Sequence, residues 1–284
     1  MGPPCRDKPA YRGDKRAGNR DGPAYRGPAG PPDHGMIRGM AGTTMTVGPL
    51  LVVVLGLLTL VAAAVVGLGG LGDGRAVVTA ALRAAVQLSV VALAITAVLR
   101  SWWWTALFVA VMTTVATLTA AKRVRSYRAA PWAALAIVAG VTPVVGLLLG
   151  TGVVPTEPIV VVPVAGILIG GAMTATSLAG RRALDELAAR RGEYEAALAL
   201  GLTNRDAALE IVRPTAGQAL VPGMDQTRTV GLVTLPGAFV GMLLGGATPA
   251  EAAVTQLIVL IGLLAAQAVA VFAIVELITG RRAS

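Results

Sequence analysis

Seven apolar stretches, each about long enough to cross a bilayer, constrain this chain more than anything else in it. Hydrocarbon about 30 Å thick takes roughly 20 helical residues. Inside it each backbone N–H and C=O must find its partner within the protein. The stretches cover residues 47–68, 76–99, 102–121, 132–150, 159–178, 229–246 and 252–279. They are continuous runs without a period of two, which argues for helices and against a β-barrel. The expected fold is therefore all-α, a polytopic transmembrane bundle of about seven spans. The sixth span is interrupted by Pro236-Gly237, and Trp102-Trp103-Trp104 opens the third as an aromatic belt would.

Charge sets the expected orientation. Only 14% of the residues are charged, against about 25% in an ordinary soluble domain, and the charges sit between the spans. Lys122, Arg123, Arg125 and Arg128 place the third connector inside, as do six arginines from Arg181 to Arg213 in the long fifth connector. Arg281 and Arg282 place the C-terminus in the cytoplasm, whereas connectors 151–158 and 247–251 carry no Lys or Arg and face outward. The net charge of +9 is thus a membrane signature, and nucleic acid is not an expected partner. Lipid is.

Residues 1–44 form a Gly-, Pro- and Arg-rich tail that carries eight of the 24 basic residues by position 46 and repeats Ala-Tyr-Arg-Gly at 10–13 and 24–27. It cannot bury enough apolar surface to offset its ordering entropy, so disorder is expected there. No signal-peptide pattern is evident. With seven spans this basic tail would face outward, against the charge rule; a start at Met45 would remove the conflict, and so would one re-entrant span. The transmembrane body is 45–284.

Several chemistries are excluded. Cys5 and His34, the only cysteine and histidine, both lie in the tail, so the membrane body offers a metal only oxygen, methionine sulfur or water. Metal ligands are not identifiable. Lys8, Lys15 and Lys122 follow Asp, Asp and Ala, so there is no Gly-Lys-Ser/Thr phosphate loop, and the HExxH and GxSxG patterns are absent too. The chain is not expected to be an enzyme, and no cofactor is expected in it.

The fifth connector is the most specific signal. Glu195-Ala196-Ala197 is followed by Gly201, Ile211 and Pro214 in a helix-favouring stretch, 180–214. Two short helices broken near Gly201 are expected, with Thr203 or Asn204 capping the second and Pro214 ending or restarting the chain at the membrane. This spacing resembles the cytoplasmic coupling loop of ABC-transporter permeases. Arg213 stands where that pattern usually has leucine. The resemblance implies that Glu195, Ala196, Ala197, Gly201, Ile211 and Pro214 dock onto a separate ATPase subunit, which would use the ATP.

Further segments resemble the FetB-type family of iron-export ABC permeases. They are Arg83 and Gln87 within Leu-Arg-Ala-Ala-Val-Gln-Leu; Pro163, Gly166, Gly170 and Met173; Pro236-Gly237 with Gly241, Gly245 and Pro249; and Gln256. Gly171 departs from the asparagine expected of that family. The resemblance covers about 47–280 and implies an inner-membrane permease subunit, a homodimer, exporting iron or a similar metal ion.

Physical readings of the pathway candidates stay double. Arg83 and Gln87 share a helix face and serve either structural pairing or the pathway. Pro236 and Gly237 make either a simple kink or a broken helix whose carbonyls meet the transported ion. Met173 and Met242 are either packing or soft ligands. The rival to an ATP-driven pump is a secondary transporter or channel that needs no ATPase.

Overall fold

The computed structural model describes residues 48–124 and 130–280. The tail expectations, Arg125, Arg128, Arg281 and Arg282 lie outside the described residues. Among the described residues the structure is all-α: a multi-pass bundle with a lone bridge between Val230 and Thr234 and no strand. Six helices are long and apolar enough to span a membrane: α1 Pro49–Leu68, α2 Gly74–Val98, α3 Trp102–Arg123, α4 Ala130–Gly150, α5 Pro158–Ala189 and α10 Pro249–Gly280. Between the last two lie α6 Arg191–Ala199, α7 Asn204–Ala216, a 3₁₀ turn Gly217–Leu220, α8 Val221–Thr229 and α9 Gly237–Leu244.

Contacts divide the chain into two units at Leu82. In the first, α1 and the start of α2 form a hairpin in which Gly74 lies against Ala63 and the Leu71 N–H donates to the Val66 carbonyl at 3.1 Å. α1 buries none of its side chains against protein, as a helix surrounded by lipid would not.

The second unit holds the core. Ala116, Ala133, Ile137, Leu168, Ala172, Ala266 and Ala270 are buried together where α3, α4, α5 and α10 meet. Small residues dominate because nothing but close backbone approach and dispersion drives apolar helices together in lipid. Gly140 of α4 sits against Ala266 and Ala270 of α10, while Gly262 of α10 sits against Val144 and Leu148 of α4, so these two helices are antiparallel. On α5, Gly171 meets Leu263 and Gln267, and Gly180 meets Ile274 and Ile278, so α5 and α10 are parallel. The chain between them must therefore return across the bundle.

It does so in pieces, which corrects the expectation of a sixth span at 229–246 interrupted only at Pro236-Gly237. Starting at the end of α10 that holds Glu276, the returning chain passes Gln267 at Gly223 and reaches Gln256 and Leu260 at Pro236 and Phe239. Helical structure stops at Thr229 and resumes only at Gly237. Pro236 has no N–H to donate into a helix and disfavours α conformation in the residue before it. Gly231 has φ +83°, outside the right-handed helical region. A second correction concerns the fifth connector: residues 180–189 are not a separate helix but the last turns of α5, which runs on unbroken to Ala189.

Candidate functional site

The conspicuous polar structure is the knob made by α6 and α7. α6 buries none of its residues. Glu195 is exposed and accepts a hydrogen bond from Arg191 Nε at 2.8 Å, one turn back. Ala196 is exposed beside it, and Ala197 is half-buried. Arg190 and Glu193 form a forked contact, with Nε to Oε1 at 2.9 Å. The hydrogen bond from that guanidinium holds the Glu193 carboxyl below its usual value, and the carboxylate in turn raises the Arg190 guanidinium.

Gly201 ends α6 for a local reason. Its φ is +93°, which costs a residue with a side chain about 1–2 kcal/mol. The Gly201 N–H donates to the Leu198 carbonyl at 2.9 Å, and the Leu202 N–H reaches back to Ala197 at 3.2 Å. That pair of bonds is a Schellman turn, which satisfies carbonyls the helix end would otherwise leave free. Leu200 projects from it, 83% exposed.

Thr203, rather than Asn204, caps α7, its hydroxyl accepting from the Asp206 N–H at 3.1 Å. α7 is amphipathic and seats its apolar face. Ala208, Leu209, Ile211 and Val212 are buried against Ala183 and Leu187 of α5 and Val275 of α10. Ile211 is thus an anchor with no surface of its own to offer, 2% exposed. Pro214 does not end the helix at once: it lies inside α7, which continues to Ala216 before the 3₁₀ turn. The motif divides into an exposed half, Glu195 to Leu202, and a seated half around Ile211.

Arg213 has a partner that spacing could not reveal. Its guanidinium stands 3.8 Å from one oxygen of Glu276 on α10, and Arg205 hydrogen-bonds the other at 2.5 Å. Glu276 therefore ties the knob to the last span. It is the only acidic residue in the later part of that span, and this was the signal by which it could have been found.

The pathway candidates fall in separate places. Gln87 and Met173 line one cavity of about 460 Å³ with Phe108, Met112 and Gly166, between α2, α3 and α5. Arg83, a turn from Gln87, is exposed and makes no ion pair or hydrogen bond among the described residues. Pro236 lines a second cavity of about 400 Å³ with Phe239, Gln256 and Leu260. Gly237 begins α9, and Met242, half-buried within it, lines neither cavity. Met173 and Met242 are not brought together. No group of three or more His, Cys, Asp or Glu occurs among the described residues. Asp225 and Arg228 form an ion pair at 3.7 Å.

Three buried oxygens have no hydrogen-bond partner among the described residues: Thr176 Oγ1, Gln256 Oε1 and Gln267 Oε1. The two glutamines are eleven residues apart on α10, three helical turns, and so share one face. That face looks onto the broken span: a Cβ at Gly223 would lie 2.0 Å from Gln267 Oε1.

Residues 49–282 match the Uncharacterised protein family (UPF0014). The chain is 39% identical over 190 residues to the UPF0014 membrane protein STAR2 of Oryza sativa subsp. japonica, covering 66% of this chain and 67% of that one. It is 39% identical over 158 residues to Protein ALUMINUM SENSITIVE 3 of Arabidopsis thaliana, covering 55% and 58%. It is 32% identical over 126 residues to the Probable iron export permease protein FetB of Escherichia coli, covering 44% and 48%. These alignments span between about half and two thirds of each relative. No solved structure matches significantly.

Proposed function

Because the chain belongs to the UPF0014 family of membrane proteins, we propose that it is the membrane subunit of an ABC exporter, driven by ATP hydrolysis on a separate chain. The exposed half of the 190–216 knob, held on a seated helix, is the observation that carries this reading. α6 offers Glu195, Ala196 and the Schellman turn at Gly201 to a partner. α7 rests on α5 and α10. A force on α6 would therefore act on two parallel spans at once. Such coupling requires two arrangements of the bundle that ATP binding biases differently.

The subunit acts as a homodimer in the inner membrane, with the knob and the C-terminus in the cytoplasm. Its cargo is iron or a similar metal ion. The names of two relatives support that class, one referring to iron export and the other to aluminium. Catalysis of hydrolysis belongs to the partner.

The test is co-purification of a separate ABC ATPase with this chain, followed by ATP-driven metal movement in vesicles. Glu195→Ala and Gly201→Ala should each weaken association and transport without impairing insertion. Normal co-purification and normal transport in both variants would sink the docking role. Full transport with no ATPase present would favour the secondary transporter instead.

A further inference from the structure

We infer that the unwound stretch 230–235, whose Val230, Gly231 and Leu235 line a cavity with Gln256, borders a water-filled vestibule through which a hard cation passes on neutral oxygen ligands. The inference rests on the transport reading above and names the chemistry of its passage.

The stretch lies at membrane depth. Val230, Leu235 and Pro236 share a cavity with Gln256 and Leu260, which lie about two and three turns into the apolar helix α10. Yet it is not helical, and the carbonyls of Val230, Gly231, Leu232 and Val233 accept no hydrogen bond among the described residues. It is not buried in the subunit either: Leu232 is 91% and Val233 77% exposed. Free carbonyls facing lipid would each cost several kcal/mol, so irregular backbone at this depth survives only inside protein or beside water.

Gln256 decides between those two. Its side chain lines the same cavity and is 6% exposed, yet its Oε1 has no partner among the described residues. A buried amide oxygen left unpaired in a dry site is costly, while a site about 400 Å³ in volume has room for several waters. Water or a hydrated cation would satisfy both the amide and the nearby carbonyls.

The donor set fixes the class of ligand. The rest of the lining is Val, Gly, Leu, Pro, Phe and Ala, with no carboxylate, imidazole or sulfur. Neutral oxygens suit a hard cation that keeps part of its water shell. They repel an anion and offer little to a soft metal. Without a fixed charge they also bind weakly, as a site on a conduction path must if the ion is to leave.

The test uses single-cysteine chains, which is simple because Cys5 is the only native cysteine. In a Cys5→Ser background, Leu232→Cys, Val233→Cys and, as a lipid-facing control, Leu58→Cys are made in membranes carrying the partner ATPase. A charged, water-soluble thiol reagent should modify the first two at least about tenfold faster than the control, since charge does not partition into hydrocarbon. Millimolar Fe²⁺ or Al³⁺ should slow that reaction. Gln256→Leu should reduce vesicle transport of these ions about tenfold, the scale of one lost hydrogen bond to a charged group, and Gln256→Glu should restore an oxygen and a measurable rate.

Reactivity no faster than the control, or a disulfide forming between two copies at Leu232→Cys, would overturn the vestibule and make the face a sealed dimer contact. Unchanged transport in Gln256→Leu, with a wild type that transports, would overturn the cation role alone. A wild type that moves neither ion would instead defeat the transport reading, and the labelling would still decide whether water reaches the stretch.

Discussion

Gly140→Ala should loosen the core through one contact. A Cβ built on Gly140 lies 2.4 Å from the Ala266 carbonyl oxygen, 3.1 Å from Ala270 Cβ and 3.3 Å from Ala270 N. A carbon meets a carbonyl oxygen comfortably at about 3.3 Å. α4 and α10 must therefore separate locally by nearly 1 Å, and no rotamer change can relieve the clash because the obstacle is backbone. Ala266 and Ala270 are fully buried, so separation strips contacts on both sides, and a gap of that size forfeits roughly a quarter to a half of each well. Overpacking of this kind costs about 1–3 kcal/mol.

Alanine also gains about 1 kcal/mol of helix propensity over glycine, and a matched control removes that contribution. Gly146, farther along α4, has nothing within 4 Å of its built Cβ. Gly146→Ala gains the same propensity with no clash. The difference between the two variants isolates the helix–helix contact at about 1–3 kcal/mol. At about 2–4 °C per kcal/mol for a chain of this size, Gly140→Ala should melt roughly 2–12 °C below Gly146→Ala in detergent. Fluorescence-detected size exclusion after a heating series reads this directly. Equal melting temperatures, or a higher one for Gly140→Ala, would refute the close approach of α4 and α10.

The ion pairs of the knob give two further expected outcomes. Glu276→Gln should weaken its hold on the last span; a double-mutant cycle with Arg205→Gln should give a coupling energy of up to about 1 kcal/mol for this partly exposed pair, and a coupling of zero would mean the contact does not contribute. The Arg190 guanidinium holds the Glu193 carboxyl below its ordinary value, so that pair's contribution is complete above the unfolded-state pKa and lost as pH falls through the lowered folded one. The melting difference between wild type and Glu193→Gln should therefore persist at pH 5 and fade only below about pH 4; fading already between pH 7 and 6 would contradict the assignment.

Much of the architecture was legible because lipid makes the rules strict. Apolar runs without a partner for backbone groups other than their own helix must be helical, so α1 to α5 and α10 fall where hydropathy places them. Local chemistry was equally readable: a glycine after Glu-Ala-Ala-Leu-Ala-Leu makes the left-handed turn at Gly201, and Thr203 caps the helix that begins at Asn204. These features depend on neighbours a few residues away, and the sequence lists those neighbours in order.

The departures all involve partners distant in the chain. Pro236 announced a kink, but seven residues without helix, from Val230 to Pro236, depend on what α10 offers beside them. Arg213 looked like an unexplained replacement until folding set Glu276 within 3.8 Å of it. Gln256 was one residue of a motif until the packing of α10 buried it and left its oxygen unpaired. Hydropathy and spacing report how each segment meets its solvent, whereas a free carbonyl, an ion pair across helices or a cavity exists only as a relation between segments, fixed by which faces the packed bundle turns toward one another.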